Sequence, residues 1–310
     1  LTAMATPAVA RDTVFALRRE IAKIEGRLAE RLASPGDGAV VLRGSGRVLG
    51  AADRLATGVA ALDATLGGGL PRAALTEVHS RQSRDAGAAA GFVLALASLL
   101  AKQAAPKQPG AKQPLLWIGT GGMFAETGFP YLHGIERLFG IAAGSLLFAE
   151  APKPVDALWI AEEAAALKSL AAVILELPGD LRPLDLDATR RLHRRAVQAE
   201  RPVFLLRHSS DPEPTAAPLR FVVAPAPAGP RRILGRPLAG SIGPPAFAVT
   251  LDKNRLAPPM RLVLEWNCDE RIFEHRSSCR EDGMQDPVAL VPLSRHGTDM
   301  AAAARPLMAY

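Results

Sequence analysis

Between residues 11 and 32 the apolar positions Val14, Leu17, Ile21, Ile24, Leu28 and Leu32 recur every three or four residues, with Arg, Lys and Glu between them. That period predicts an amphipathic helix whose stripe must bury against the body of the domain or a partner. The Gly-rich stretch "ASPGDGAVVLRGSGRVLG" that follows reads as a linker. The expected organisation is an N-terminal helical arm over 1–34, a linker over 35–56 and a main domain from 57 onward.

In the main domain the pattern alternates. Strand-like runs fall at 75–79, 115–118, 145–148, 171–177 and 203–206, and helix-like runs at 85–102, 129–139, 156–169 and 187–199, with "KQAAPKQPGAKQP" as a flexible basic loop. The run "AAVILEL" is continuously apolar, as a central parallel strand covered on both faces must be. Repeated βα units predict an α/β fold with a mainly parallel sheet sandwiched by helices. Beyond the Pro-rich "HSSDPEPTAAP", strand-like runs at 219–224, 246–251 and 261–266 have no helix between them, and antiparallel strands finishing one side of the sheet are expected. The main domain is expected to span 57–275. Residues 276–310 show no sustained periodicity and read as a disordered tail.

Composition narrows the classes. Of the 310 residues 48% are hydrophobic and only 5% aromatic, so small side chains dominate a sizeable core and disorder throughout is excluded. The longest apolar segment, 86–101, has the length of a core helix rather than a membrane span. With no secretory-type apolar run near residue 1, a cytosolic location is expected. Cys268 and Cys279 are too few and too poorly spaced for a zinc site or a disulfide framework, so reduced thiols are expected. The net charge of +6 is a weak hint of a polyanionic partner.

The stretch "TGVAALDATLGGGLPRAALTEVHS", 57–80, resembles the opening segment of RecA-type domains: Thr57-Gly58, Leu62-Asp63, Gly67-Gly68-Gly69 and Leu70-Pro71 fall in register. Downstream, "VTLDKNRLAPPMRLVLEW" resembles the Lys-Asn-Lys/Arg strand of the same superfamily and the strand after it. The resemblance implies a RecA-like fold over roughly 57–274. The whole pattern is most similar to the ImuA family, through the N-terminal helix, "SRDAGAAAGFVLAL", "LLWIGTGGMFAETGFPY", "AAVILELPGDL" and "ERPVFLLR". It implies an accessory protein of SOS-induced mutagenesis that supports translesion synthesis. The implied partners are an ImuB-like Y-family protein and an error-prone DNA polymerase, with RecA as a further candidate.

A Walker A loop turns backbone N–H groups toward phosphates, supplies a lysine to their oxygens and holds Mg²⁺ with a Ser/Thr hydroxyl. In register, Ser80 takes the first Gly place, Asp85 the last Gly, Ala86 the lysine and Gly87 the Ser/Thr, while Arg81 and Arg84 are the loop's only cations. Asp85 reads as a helix N-cap and 86–90 as close-packing residues. Gly121 or a neighbour stands in the place of the water-positioning glutamate, and Glu126 reads as a surface residue of the next loop. Glu176, in the Walker B place, could bind Mg²⁺ or be a polar strand-end residue held by an arginine. Lys253 and Arg255 match the family's basic pair, which contacts nucleotide across a subunit interface.

No catalytic residue, cofactor or metal is therefore expected, and the chain reads as a non-catalytic adaptor. Its docking elements would be the helix stripe Leu17, Ile21, Ile24 and Leu28 and the C-terminal tail. The alternatives are a RecA-like DNA-stimulated ATPase that uses Arg84 and Glu176 with ATP and Mg²⁺, and a cell-division inhibitor of the SulA type, normally a shorter chain. For DNA, "PGDLRPLDLD" and "HSSDPEPTAAP" are short and acidic where RecA-type proteins carry DNA-binding loops. A candidate basic face is formed by Arg190, Arg191, Arg194 and Arg195 at helical spacing, and Arg231, Arg232 and Arg236 lie in a Gly/Pro loop. Neither carries the interleaved aromatics of a single-strand stacking platform.

Overall fold

The structure of the protein, a computed structural model, describes residues 53–103, 113–179, 181, 183–234, 236–254 and 257–276, with the backbone of a short strand pair at 40–41 and 48–49 and the side chain of Arg232 excepted. Nine strands form the main sheet: β1 (Leu75–Ser80), β2 (Leu115–Thr120), β3 (Leu146–Ala151), β4 (Ala172–Pro178), β5 (Val203–His208), β6 (Leu219–Pro225), β7 (Ala246–Asn254), β8 (Met260–Asn267) and β9 (Ile272–His275). Their spatial order is β9-β8-β7-β6-β1-β5-β4-β2-β3. From β3 across to β6 all neighbours are parallel, and from β6 to β9 all are antiparallel. The protein is an α/β sandwich on a large, mostly parallel sheet.

Helices cover both faces. The first is α1 (Ala60–Thr65), next to the strand pair Arg54–Leu55 and Leu70–Pro71. Helices α2 (Ala86–Gln103), α3 (Gly121–Thr127) and α4 (Leu132–Phe139) pack on one face of the sheet, with Phe92, Phe124 and Phe139 joining Trp117, Ile174 and Phe204 in one core. Helices α5 (Pro154–Ala165) and α6 (Leu186–Ala199) pack on the other, with Ala157, Ala161 and Leu192 against Leu75, Val173 and Leu205. Small residues let α2 lie close: a side chain at Gly91 would meet the Phe247 ring at 3.3 Å. The segment Ser83–Gln103 is the one helical stretch among the described residues long and apolar enough to cross a membrane, and 61% of its most apolar 18 residues is buried.

Two expectations are corrected. The segment expected as a helix over 129–139 is helical only from Leu132, and a separate helix, α3, precedes it. Thr120 starts α3 by accepting the Met123 N–H at 3.3 Å. Secondly, β6 was expected to be antiparallel but pairs parallel to β1, Leu219 lying opposite Thr76. The chain returns from the end of β5 to the start of β6 through an extended crossover, 209–218, where a helix would usually stand.

The Thr-Gly, Leu-Asp and triple-Gly positions form one staple. Asp63 on α1 accepts the N–H of Thr57 at 2.9 Å, its hydroxyl at 2.7 Å and the N–H of Gly58 at 3.2 Å. Gly67, Gly68 and Gly69 have φ of 71, 108 and 121°, and a Cβ at Gly69 would collide with the Leu55 carbonyl. Buried Arg54 donates to the carbonyls of Leu66 and Gly69 at 2.5 and 3.0 Å, closing the turn. Asp63→Ala removes the acceptor of all three donors, and a loss of about 1–3 kcal/mol is expected. Urea unfolding checks this: the midpoint should fall with the slope unchanged.

Candidate functional site

Strand β1, the turn after it and α2 have the layout of a phosphate-binding loop. The turn is closed on itself: Gln82 has extended backbone, Ser83–Asp85 make a 3-10 turn, and the Asp85 N–H donates to the Gln82 carbonyl at 3.0 Å. Helical backbone thus begins ahead of Ala86, and Asp85 lies inside the first turn; Gln82, not Asp85, holds the capping position. Arg81 and Arg84 are exposed, Ala86 is buried, and Gly87 faces open space. Glu126, expected on a loop, is on α3, and its carboxylate accepts the Ser83 hydroxyl at 2.9 Å. That hydroxyl also lies 2.7 Å from the Ser209 hydroxyl. An acid therefore sits at the rim of the turn, where a phosphate would meet repulsion. Gly121 leaves room for the neighbouring Glu150 carboxylate of β3, whose Oε1 would lie 2.6 Å from a Cβ there.

The decisive geometry lies beneath the turn. Strand alternation carries Ser80, His208 and Glu176 onto the α2 face near the carboxyl ends of β1, β5 and β4, and Trp117 onto the same face in the middle of β2. Ser80 Oγ is 2.7 Å from His208 Nδ1, His208 Nε2 is 2.8 Å from Glu176 Oε1, and Trp117 Nε1 donates to Glu176 Oε2 at 2.8 Å. The Thr127 hydroxyl adds a longer contact of 3.5 Å to Oε1. The tautomer that satisfies both ring contacts donates from Nε2 to Glu176 and accepts the Ser80 proton at Nδ1. Glu176 is thus held by a histidine and an indole, not by the arginine expected from sequence.

Ser, His and carboxylate are also the components of a hydrolytic triad. Here Ser80 is 0% exposed, with no open approach for an acyl group, so the arrangement works as internal bracing. Both carboxylate oxygens that could meet a cation are occupied by donors. Among the described residues no group of three or more His, Cys, Asp or Glu side chains is arranged to hold a metal ion.

A second polar layer occupies the opposite face of the same strands. Glu77 Oε2 accepts from Arg220 Nε and the Thr215 hydroxyl, both at 2.8 Å, and His79 Nε2 stands 3.9 Å from Glu77 Oε1. The crossover 209–218 lies over this layer and is fastened to it. Arg220 donates to the Glu213 carbonyl, Arg207 to the Glu213 carboxylate at 3.2 Å, and Lys253 to the Thr215 carbonyl at 2.7 Å. Burial pushes the Glu77 carboxyl up, but His79, Arg220 and Thr215 outweigh it and hold the group below its ordinary pKa.

The remaining candidates divide sharply. Lys253 is committed to the crossover, and its neighbour Asn254 donates to the Thr65 carbonyl at 3.0 Å, tying β7 to the staple. Arg255, Leu17, Ile21, Ile24 and Leu28, the tail from 277 and Cys279 lie outside the described residues. The basic face on α6 is largely neutralised. Arg190 pairs with Asp187 at 2.6 Å, Arg191 with Glu162 at 2.9 Å and Arg195 with Glu163 at 3.1 Å, the last two across to α5, while Arg194 is exposed. Sequence reasoning missed Glu77, His79, Arg207, His208, Arg220 and Trp117. The available signal was polar residues inside fully apolar strand runs, which burial permits only when they are paired.

No protein-family model matches the chain, and no curated protein matches it either.

The lowered Glu77 pKa fixes a sign. The stability it contributes is fully present above the unfolded carboxyl value of about 4.3 and is lost as pH falls through the lower folded value. Urea midpoints measured from about pH 6 to pH 3 should fall more steeply for wild type than for Glu77→Gln, which has no carboxyl to protonate.

Proposed function

We propose that the chain is a RecA-like protein of the ImuA family, acting in the cytosol as a non-catalytic adaptor in DNA-damage-induced mutagenesis. The observation that carries this reading is the commitment of Glu176: the carboxylate in the Walker B place is buried, with His208 and Trp117 on its two oxygens and Ser80 behind the imidazole. Of the two groups the ATPase alternative would use, Arg84 is exposed at the turn, but Glu176 is committed. Ala86 and Gly87 offer neither ammonium nor hydroxyl, Gly121 offers no acid, and Glu176 is buried with donors on both oxygens.

The RecA-like reading draws support from the β1-turn-α2 unit at the centre of the sheet. It is further supported by the meeting of the two sequence blocks that carried the resemblance, through the Asn254 contact to Thr65. The partners, an ImuB-like Y-family protein, an error-prone DNA polymerase and RecA, rest on the sequence resemblance. A fold that has exchanged its ligand site for internal bracing keeps its surface as a scaffold, and function then resides in what docks there.

Isothermal titration of the full chain with ATP and Mg²⁺ tests the reading. No saturable heat is expected, for wild type or for Arg84→Ala. Micromolar binding that disappears in Arg84→Ala would favour the ATPase instead. On the adaptor side, changing Leu17, Ile21, Ile24 and Leu28 together to Ser should abolish co-purification with a purified ImuB-like Y-family protein. The thermal unfolding of the main domain should stay where it was.

A further inference from the structure

Adjacent antiparallel strands are commonly joined by about two to five residues. The connection from β6 to β7 runs from 226 to 245 and builds a projection of its own. Arg232–Ile233 pair antiparallel with Arg236–Pro237. Its base is fastened: the Gly243 N–H donates to the Gly229 carbonyl at 2.8 Å, so close that a Cβ at Gly243 would collide with it. The Leu238 N–H donates to the Arg231 carbonyl at 2.7 Å, the Arg231 N–H to the Ser241 hydroxyl at 2.8 Å, and Arg276 to the Pro227 carbonyl at 2.7 Å. This is a held projection, not slack chain.

What it holds out is apolar. Leu234 is 99% exposed, Ile242 80% and Ile233 58%, with Leu238 beside them. Leu234 also has φ of 49°, a left-handed backbone that favours Gly or Asn and disfavours a bulky side chain. No packing inside the fold compensates a fully exposed leucine in that conformation, and strained, exposed residues of this kind point to a function outside the fold.

The surrounding charge selects the partner. Arg231 and Arg236 are exposed, and no carboxylate among the described residues is paired with either, in contrast to the arginines of α6. At the foot of the connection, a groove lined by Arg81, Gln82, Arg84, Asp85, Ala224 and Pro225 brings two more exposed arginines to the same end of the sheet. An aliphatic tip between guanidinium groups matches the wedges that enter the minor groove of duplex DNA, where Leu or Ile part a base step and Arg meets the groove and its phosphates. With no aromatic ring on the projection, it lacks the stacking surface for single strands and the Trp and Tyr of membrane interfaces.

We propose that the projection of residues 231–242 is a minor-groove wedge for duplex DNA, with Leu234 as its apolar tip, Ile242 as a second exposed aliphatic side chain nearer its base, and Arg236 and Arg231, whose Nε donates to the Ile242 carbonyl at 3.2 Å, as its phosphate contacts. The inference does not rest on the adaptor reading, and either can fail alone.

The test titrates the full chain against a fluorescein-labelled duplex carrying 2-aminopurine, over a series of salt concentrations, with phosphatidylglycerol vesicles in parallel. Wild type should bind the duplex and raise the 2-aminopurine signal by unstacking. The double variant Leu234→Ser with Ile242→Ser should bind about 10-fold more weakly and lose that signal, with its salt slope unchanged. Arg236→Gln should lower the slope of log K against log salt by about 1. These side chains are exposed, so circular dichroism should be the same for all three proteins. The proposal is overturned if wild type does not bind the duplex at low salt, or if the aliphatic variant binds as wild type does. Binding that depends on Leu234 and Ile242 but goes to the vesicles alone also overturns it.

Discussion

A carboxylate buried at the carboxyl end of a parallel sheet must find donors inside the protein or bind a cation. For Glu176 the protein supplies His208 and Trp117, and Ser80 completes the chain behind the imidazole. Breaking a buried pair by removing one partner commonly costs about 3–5 kcal/mol, because an uncompensated charge is left behind. The same contacts that stabilise the centre of the sheet therefore also decide its chemistry. They draw four strands together beneath the turn that leads into α2.

The opposite face obeys the same constraint by a different route. An extended crossover is thinner than a helix and leaves its backbone carbonyls and amides to be satisfied by side chains. Arg220 and Lys253 reach the carbonyls of Glu213 and Thr215, and Thr189 on α6 accepts the Ala216 N–H at 3.0 Å. Glu77 in turn neutralises Arg220 beneath them. Lys253, matched in sequence to a family's basic pair, is thus part of the fastening of the crossover that precedes β6.

Much of the architecture was legible because burial on both faces writes continuous apolar strands, as in 171–177, and because the Thr57 to Pro71 motif is local: Asp63 and its donors lie within a few residues of one another. The ends of those strands were not legible. His79, His208 and Arg207 look like ordinary strand termini until the sheet order places them beside Glu77 and Glu176, far away in sequence. The direction of β6 was misread because a crossover without a helix leaves no periodic signal. Helix α3 was missed because it opens on Gly121-Gly122, poor helix formers made acceptable by the Thr120 cap and the nearness of Glu150. The arginines of α6 were read as a free basic face because their partners sit on α5. Exposed arginines without a carboxylate partner among the described residues lie on the β6–β7 projection and beside the turn before α2, as well as at Arg194.

Under the proposed reading, the Ser80–His208–Glu176–Trp117 chain braces the sheet and does not respond to nucleotide. The most direct measurement is imidazole ¹⁵N NMR of His208 in the full chain, recorded with and without ATP and Mg²⁺. A protonated Nε2 and an accepting Nδ1 are expected, both unmoved by the nucleotide. A change of His208 tautomer or shift that saturates with added ATP and Mg²⁺ would contradict it.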